Sequence, residues 1–174
     1  MGMYTGLRFK AIIKEEYREA INELMERDTM ESWLDTTEGY PEMEFAKEYA
    51  EMSRSDFIPF GSLAYMPDEW EELIDESKGK QWNNYKAAKG WEREFNIDTG
   101  YWQFQCSLKN YGSEIEKFLK DVASVIVKKA IHVEVHYEED RYGRLHELVD
   151  GEWVENESKS VDYRPWEDEN SNYY

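Results

Sequence analysis

Residues 102–137, WQFQCSLKNYGSEIEKFLKDVASVIVKKAIHVEVHY, change period twice, and those two changes decide the fold class. Trp102, Phe104, Cys106 and Leu108 alternate with Gln103, Gln105 and Ser107, the period of two that puts apolar side chains on one face of a strand. Ile115, Phe118, Leu119, Val122 and Ile126 then recur at helical spacing. Ser113 followed by Glu116 predicts a capping box at the start of that helix, and Lys128 and Lys129 suit the negative end of its dipole. Ile131, Val133, Val135 and Tyr137 return to alternation and predict one face of a second strand. Strand, helix and strand in this order make a βαβ unit.

Upstream, residues 3–14 alternate as well, with Leu7, Phe9, Ala11 and Ile13 on one face and Arg8 and Lys10 on the other. Tyr17, Ile21, Leu24 and Met25 predict a helix, and Met43, Ala46, Tyr49 and Ala50 a second one over 42–52. Residues 57–66 read as extended, and Pro67 opens a short helix with Trp70, Leu73 and Ile74 on its apolar side. Downstream, the turn pairs Tyr142-Gly143 and Asp150-Gly151 predict a three-strand meander over 132–155. Periodicity ends near Asn156. The reading is a single α+β domain over 1–156, then a loosely ordered acidic and aromatic tail over 157–174. The element order fits a ferredoxin-like α/β sandwich with a helical insertion and an added C-terminal β-hairpin.

Composition restricts function before any motif does. The 174 residues carry 39 acids against 21 Lys and Arg, a net charge of −18, which repels nucleic-acid phosphates and anionic lipid surfaces. Direct nucleic-acid and membrane binding are therefore expected to be absent. An aromatic share of 16% supplies a packed core that a disordered acidic chain lacks. The lone Cys106 falls on an inward strand phase and reads as a small core hydrophobe. No secretory signal is evident at the N-terminus, so the expected location is the cytoplasm.

His132, Glu134 and His136 project from one strand face, about 7 Å apart at successive positions. Two imidazoles and a carboxylate can ligate Zn or another divalent transition metal, with His146 or Glu147 from a neighbouring strand completing the set. Equally, alternating polar residues are what any solvated sheet face displays. No nucleophile elbow, phosphate-binding loop or zinc-protease helix occurs, which argues against a familiar enzyme class.

Acid gathers in the last quarter, where Glu138, Glu139, Asp140, Glu147, Asp150 and Glu152 surround Trp153. A solvated hairpin accounts for such a run. The sharper reading is a partner-binding face that imitates a polyanion and occupies the basic groove of a nucleic-acid-binding protein. The stretch Ser53-Arg54-Ser55-Asp56-Phe57-Ile58-Pro59-Phe60-Gly61-Ser62-Leu63-Ala64-Tyr65-Met66-Pro67 is conspicuously poor in acid, and reads as a buried segment or an exposed apolar patch.

Met3-Tyr4-Thr5-Gly6-Leu7-Arg8-Phe9-Lys10, Ser55-Asp56-Phe57-Ile58-Pro59 and Leu63-Ala64-Tyr65-Met66-Pro67 together resemble uncharacterised small proteins encoded by bacteriophages and prophages. The resemblance covers about a fifth of the chain. It implies an accessory protein acting in the bacterial host cytoplasm by binding a host factor, and carries over no active-site residue. The expected function is thus a non-enzymatic acidic binding protein, a phage-encoded inhibitor of a basic host or defence protein. Two alternatives stand beside it. One is a small metal-dependent enzyme using His132, Glu134 and His136. The other is a small-ligand binder with an aromatic pocket built from Trp82, Trp91 and Trp102.

Overall fold

A computed structural model describes residues 3–27, 31–79 and 84–163. The first strand, β1 (Thr5–Ile13), is followed by α1 (Arg18–Glu26), α2 (Ser32–Gly39), a 3-10 turn over Pro41–Ala46, α3 (Lys47–Ala50) and α4 (Phe57–Phe60). Three short strands come next: β2 (Glu71–Leu73), β3 (Tyr85–Ala87) and β4 (Glu94–Asn96). After β5 (Tyr101–Leu108), a helix spanning 114–126 is assembled from α5 (Glu114–Lys117), a π-helical stretch Phe118–Ala123 and α6 (Ser124–Ile126). The chain closes with β6 (Val127–Tyr137), β7 (Tyr142–Val149) and β8 (Glu152–Asp162).

The result is mixed α/β, with a six-stranded sheet ordered β4-β5-β1-β6-β7-β8 and every neighbouring pair antiparallel. β1 lies between β5 and β6, the two strands that the helix spanning 114–126 connects. Leu7 pairs with Cys106 and Val135, and Phe9 with Phe104 and Val133. These side chains form one face, on which the helices pack. Ile21, Leu24, Trp33, Met43, Tyr49, Phe118 and Val122 are buried against it. Burial pushes the Cys106 thiol up to about 12, as an inward core position requires.

Several local expectations change for identifiable reasons. The helix expected after Pro67 is only a 3-10 turn, Asp68–Trp70, because the chain then extends into β2 and pairs with β3; Trp70 is buried but Ile74 is 62% exposed. Residues 57–66 are not one extended run. Phe57–Phe60 is helical, broken at Ile58, and Ser62 makes a single bridge to Ser107. Ser113 sits in the left-handed region (φ 59°) and makes no capping hydrogen bond. Asn110 takes its place, since Oδ1 accepts from the Ile115 N–H at 3.0 Å and Nδ2 donates to Glu116. Lys128 and Lys129 belong to β6. Ile131, expected on the core face, is 50% exposed because Lys10 pairs with His132 while Ala11 pairs with Ala130, leaving Ile131 as the extra residue of a bulge. α2 was not expected at all. β8 runs on through Asp162, past the point where periodicity fades, and Tyr163 beyond it is buried. The rest of the expected tail, 164–174, lies outside the described residues.

One half-buried acid sits in the helical layer. Asp56 Oδ1 is buried without a hydrogen-bond partner. Burial, with the charges of Glu31 and Asp35 adding to it and the Trp33 backbone N–H opposing, pushes the Asp56 carboxyl up to about 6. Between its ordinary value of 3.8 and 6, the folded chain keeps a proton that the unfolded chain has lost, so stability falls as pH rises through that window. Asp56→Asn is expected to be more stable than the parent at pH 7 by about 1–2 kcal/mol, after allowance for partial exposure. The two proteins should converge in urea melts below about pH 4. A constant difference across pH would rule out this cause.

Candidate functional site

The second face of the sheet is polar yet covered. β5 is buried along its length on both sides, including Gln103, Gln105 and Ser107. Arg8 sits in the middle of a row across three strands, with Gln105 on one side and Glu134 on the other. Met66, Trp70 and Tyr163 close over this row. The backbone must pass close for that to happen. A Cβ on Gly6 would lie 2.6 Å from the end of Met66 and 2.7 Å from the Trp70 ring.

Arg8 is the hub. Its Nε donates to Gln105 at 2.9 Å, Nη1 to the Tyr163 hydroxyl at 3.2 Å, and Nη2 to the Glu69 carbonyl at 2.5 Å. The guanidinium also lies 4.4 Å from the Trp70 ring centre and 4.9 Å from that of Trp91. Burial lowers its pKa, and the adjoining Tyr163 hydroxyl and Glu134 carboxylate oppose that fall. Gln105 Nε2 donates to the Trp70 carbonyl, pinning the cover to β5.

His132, Glu134 and His136 do share this face, as their spacing requires. The Tyr163 hydroxyl donates to Glu134 Oε1, and His132 Nε2 lies 2.9 Å from Glu134 Oε2. A continuous polar chain therefore runs from buried Tyr163 through Glu134 to His132, whose side chain is 31% exposed. Burial and then the Glu134 charge push the Tyr163 hydroxyl well above its ordinary range, so it remains a donor at neutral pH. His136 packs against the aromatic cover. Its ring centre is 4.5 Å from that of Tyr163 and 5.8 Å from that of Trp70. Among the described residues, no three His, Cys, Asp or Glu side chains are arranged to hold a metal ion. His146 pairs with Val133, which turns it to the opposite face of the sheet from Glu134.

The acidic residues divide by place. Glu138, Glu139 and Asp140 lie at the β6–β7 turn, whereas Asp150 and Glu152 lie at the β7–β8 turn, the other end of the hairpin. Glu138 is held at the sheet, accepting from the Tyr4 N–H at 2.7 Å. Asp140 and Glu155 each lie 3.7 Å from Arg144, and Glu147 lies 3.4 Å from Lys159. Glu139, Asp150 and Glu152 are exposed. Trp153 does not stand among them as a free ring. It is half-buried and packs toward Phe9, with ring centres 6.4 Å apart.

Of the aromatic-pocket residues, Trp82 lies outside the described residues, and the other two are on opposite faces. Trp102 is in the core, whereas Trp91 meets the His132 ring edge to face and lies beside Arg8 and Lys10. Arg8, Gln105, Trp70 and Tyr163 were not expected at the polar site. The available signal was the uncharged set Gln103, Gln105 and Ser107, unusual for the outward positions of a strand in so acidic a chain. Among the described residues, no helix is long and apolar enough to cross a membrane. Comparison with protein-family models, curated proteins and solved structures finds no match for this chain.

Proposed function

We propose that the protein is a non-enzymatic acidic binding protein that engages a basic protein partner through its C-terminal hairpin. The observation that carries this reading is the distribution of charge along a braced platform. Residues 138–163 hold nine carboxylates against three Lys and Arg. Five of them stand on the strands β7 and β8 and four at the two turns that join β6–β7–β8, and Tyr163 ties the end of β8 to Arg8 and Glu134. Carboxylates on a rigid sheet give fast, salt-sensitive association with a cationic groove at little ordering cost. The buried polar network is occupied by its own members, which favours a bracing role for it over catalysis. The phage resemblance supports a partner among basic host or defence proteins that bind nucleic acid.

We infer a ferredoxin-like core as well. Helical connections join β1 to β4 and β5 to β6, and the order β6-β1-β5-β4 supports a ferredoxin-like sandwich extended by the β7–β8 hairpin.

The test is capture from bacterial lysate by immobilised protein at low and high salt, with duplex DNA as competitor. A basic protein should be retained at low salt and released by salt or DNA. Combined reversal of the exposed acids, Glu139→Lys, Asp150→Lys and Glu152→Lys, is expected to reduce retention about tenfold or more. Unchanged retention by that variant, or no retained protein at low salt, would sink the reading.

A further inference from the structure

Between the helix spanning 114–126 and the facing side of the β7–β8 hairpin is a cleft of about 560 Å³. A second hollow of about 360 Å³ continues it toward Tyr137, and the two share Glu116, Leu119 and His146. Leu119, Val135, His146 and Trp153 supply its apolar and ring surfaces. Burial lowers the His146 imidazole below its ordinary value, so this surface is uncharged at neutral pH.

The rim has the opposite character. Glu116 and Glu152 edge the larger hollow, and Asp140 and Glu155 the smaller. Two cations stand among them. Lys120 is exposed, and Arg144 is already shared between Asp140 and Glu155. An apolar floor inside an acidic rim complements a ligand with one apolar face and cationic flanks.

The backbone of the groove narrows the choice further. The N–H and C=O groups of its floor strands point along the β6–β7–β8 sheet, toward ladder partners or the sheet border, and not out of this face. A segment lying on this face gains no strand partner and must satisfy its own backbone, which a helix does internally. We propose that the groove seats a basic amphipathic helix of the partner protein, its apolar side chains at i, i+3, i+4 and i+7 resting on Leu119, Val135 and Trp153. This rests on the acidic-binding reading and gives it a location and a partner class.

The probe is a synthetic amphipathic peptide of about 14 residues, long enough to form helix, with leucines at that spacing and lysines elsewhere. A scrambled peptide of identical composition is the control, and calorimetric titration is the readout. The amphipathic peptide should bind at least about tenfold more tightly than the scrambled one. Lys120→Trp, which fills the groove from an exposed position, and the pair Glu116→Lys and Glu152→Lys should each weaken it about tenfold. Equal affinity for both peptides overturns the groove and leaves the acidic-hairpin reading standing, because charge alone then accounts for binding. Unchanged affinity in Lys120→Trp overturns it too. Groove-dependent peptide binding by a protein that captures no basic partner from lysate overturns the hairpin reading instead.

Discussion

Replacing Arg8 with methionine is expected to lower the free energy of unfolding by about 3–5 kcal/mol at pH 7, measured by urea denaturation. The volume change is small; the loss is electrostatic. Arg8 is 7% exposed and Glu134 only 1%, and the two are linked through the Tyr163 hydroxyl, which accepts from one and donates to the other. Removing the cation leaves Glu134 buried with Tyr163 and His132 as its remaining partners, and strips donors from Gln105 and the Glu69 carbonyl. Such a loss is a large part of the 5–15 kcal/mol that an ordinary domain possesses. Lysine should not rescue it, since one ammonium cannot reproduce three divergent N–H donors or the planar contact with Trp70 and Trp91. Removing the carboxylate as well, Arg8→Met with Glu134→Leu, should cost less than the two single losses added together, with a coupling of about 1–3 kcal/mol. A single-variant loss below about 1 kcal/mol would show that solvent reaches and screens the row.

A comparable loss, about 3–5 kcal/mol, is expected for Phe118→Ala, in the same measurement. Phe118 is fully buried, and its ring lies 5.6 Å from Phe9, 5.9 Å from Trp33, 6.0 Å from Tyr49 and 6.3 Å from both Trp102 and Phe104, centre to centre. It joins β1, β5, α2, α3 and the connecting helix at one point. Five large rigid rings cannot collapse into the vacated space without leaving their own packing, so a cavity should persist. Phe118→Leu keeps most of the volume and should lose about 1–2 kcal/mol. Equal losses for leucine and alanine would show that ring geometry, not volume, is what the core requires.

The core was legible because its periods are clean. Leu7 to Ile13, Trp102 to Leu108 and the stripe from Ile115 to Ile126 point inward as their spacing demands. The three-strand meander was legible from its turns. What could not be read was the second layer of burial. Arg8, Gln105 and Glu134 follow the alternation of a solvated face, and only the tertiary return of Met66, Trp70 and Tyr163 encloses them. The cover has no period of its own: Met66 lies in a bend, Trp70 in a 3-10 turn, and Tyr163 one residue after the last strand. Tyr163 lies 155 residues from Arg8 along the chain, beyond the range of any local pattern. The His132, Glu134 and His136 grouping was correctly placed on one face, but its surroundings depend on that same cover. The short α2, rich in Thr and polar residues, gave too weak a stripe to announce itself.

One irregularity at the far edge of the sheet bears on the company the molecule keeps. On β7, Arg144 and His146 are two residues apart; their partners on β8, Ser160 and Glu155, are five apart. The additional residues interrupt the ladder, and Asn156 secures them by accepting from the Ser158 N–H at 3.1 Å and donating to Glu147 at 2.8 Å. A neighbouring chain that tried to zip along this border would lose register midway and meet Glu157 and Lys159 in place of a row of free amides. The outermost strand is thus a poor template for its own duplication, and this border of an open sheet is guarded against stacking edge on edge. Two copies of this protein are therefore not expected to pair strand to strand through β8, even in a crowded solution.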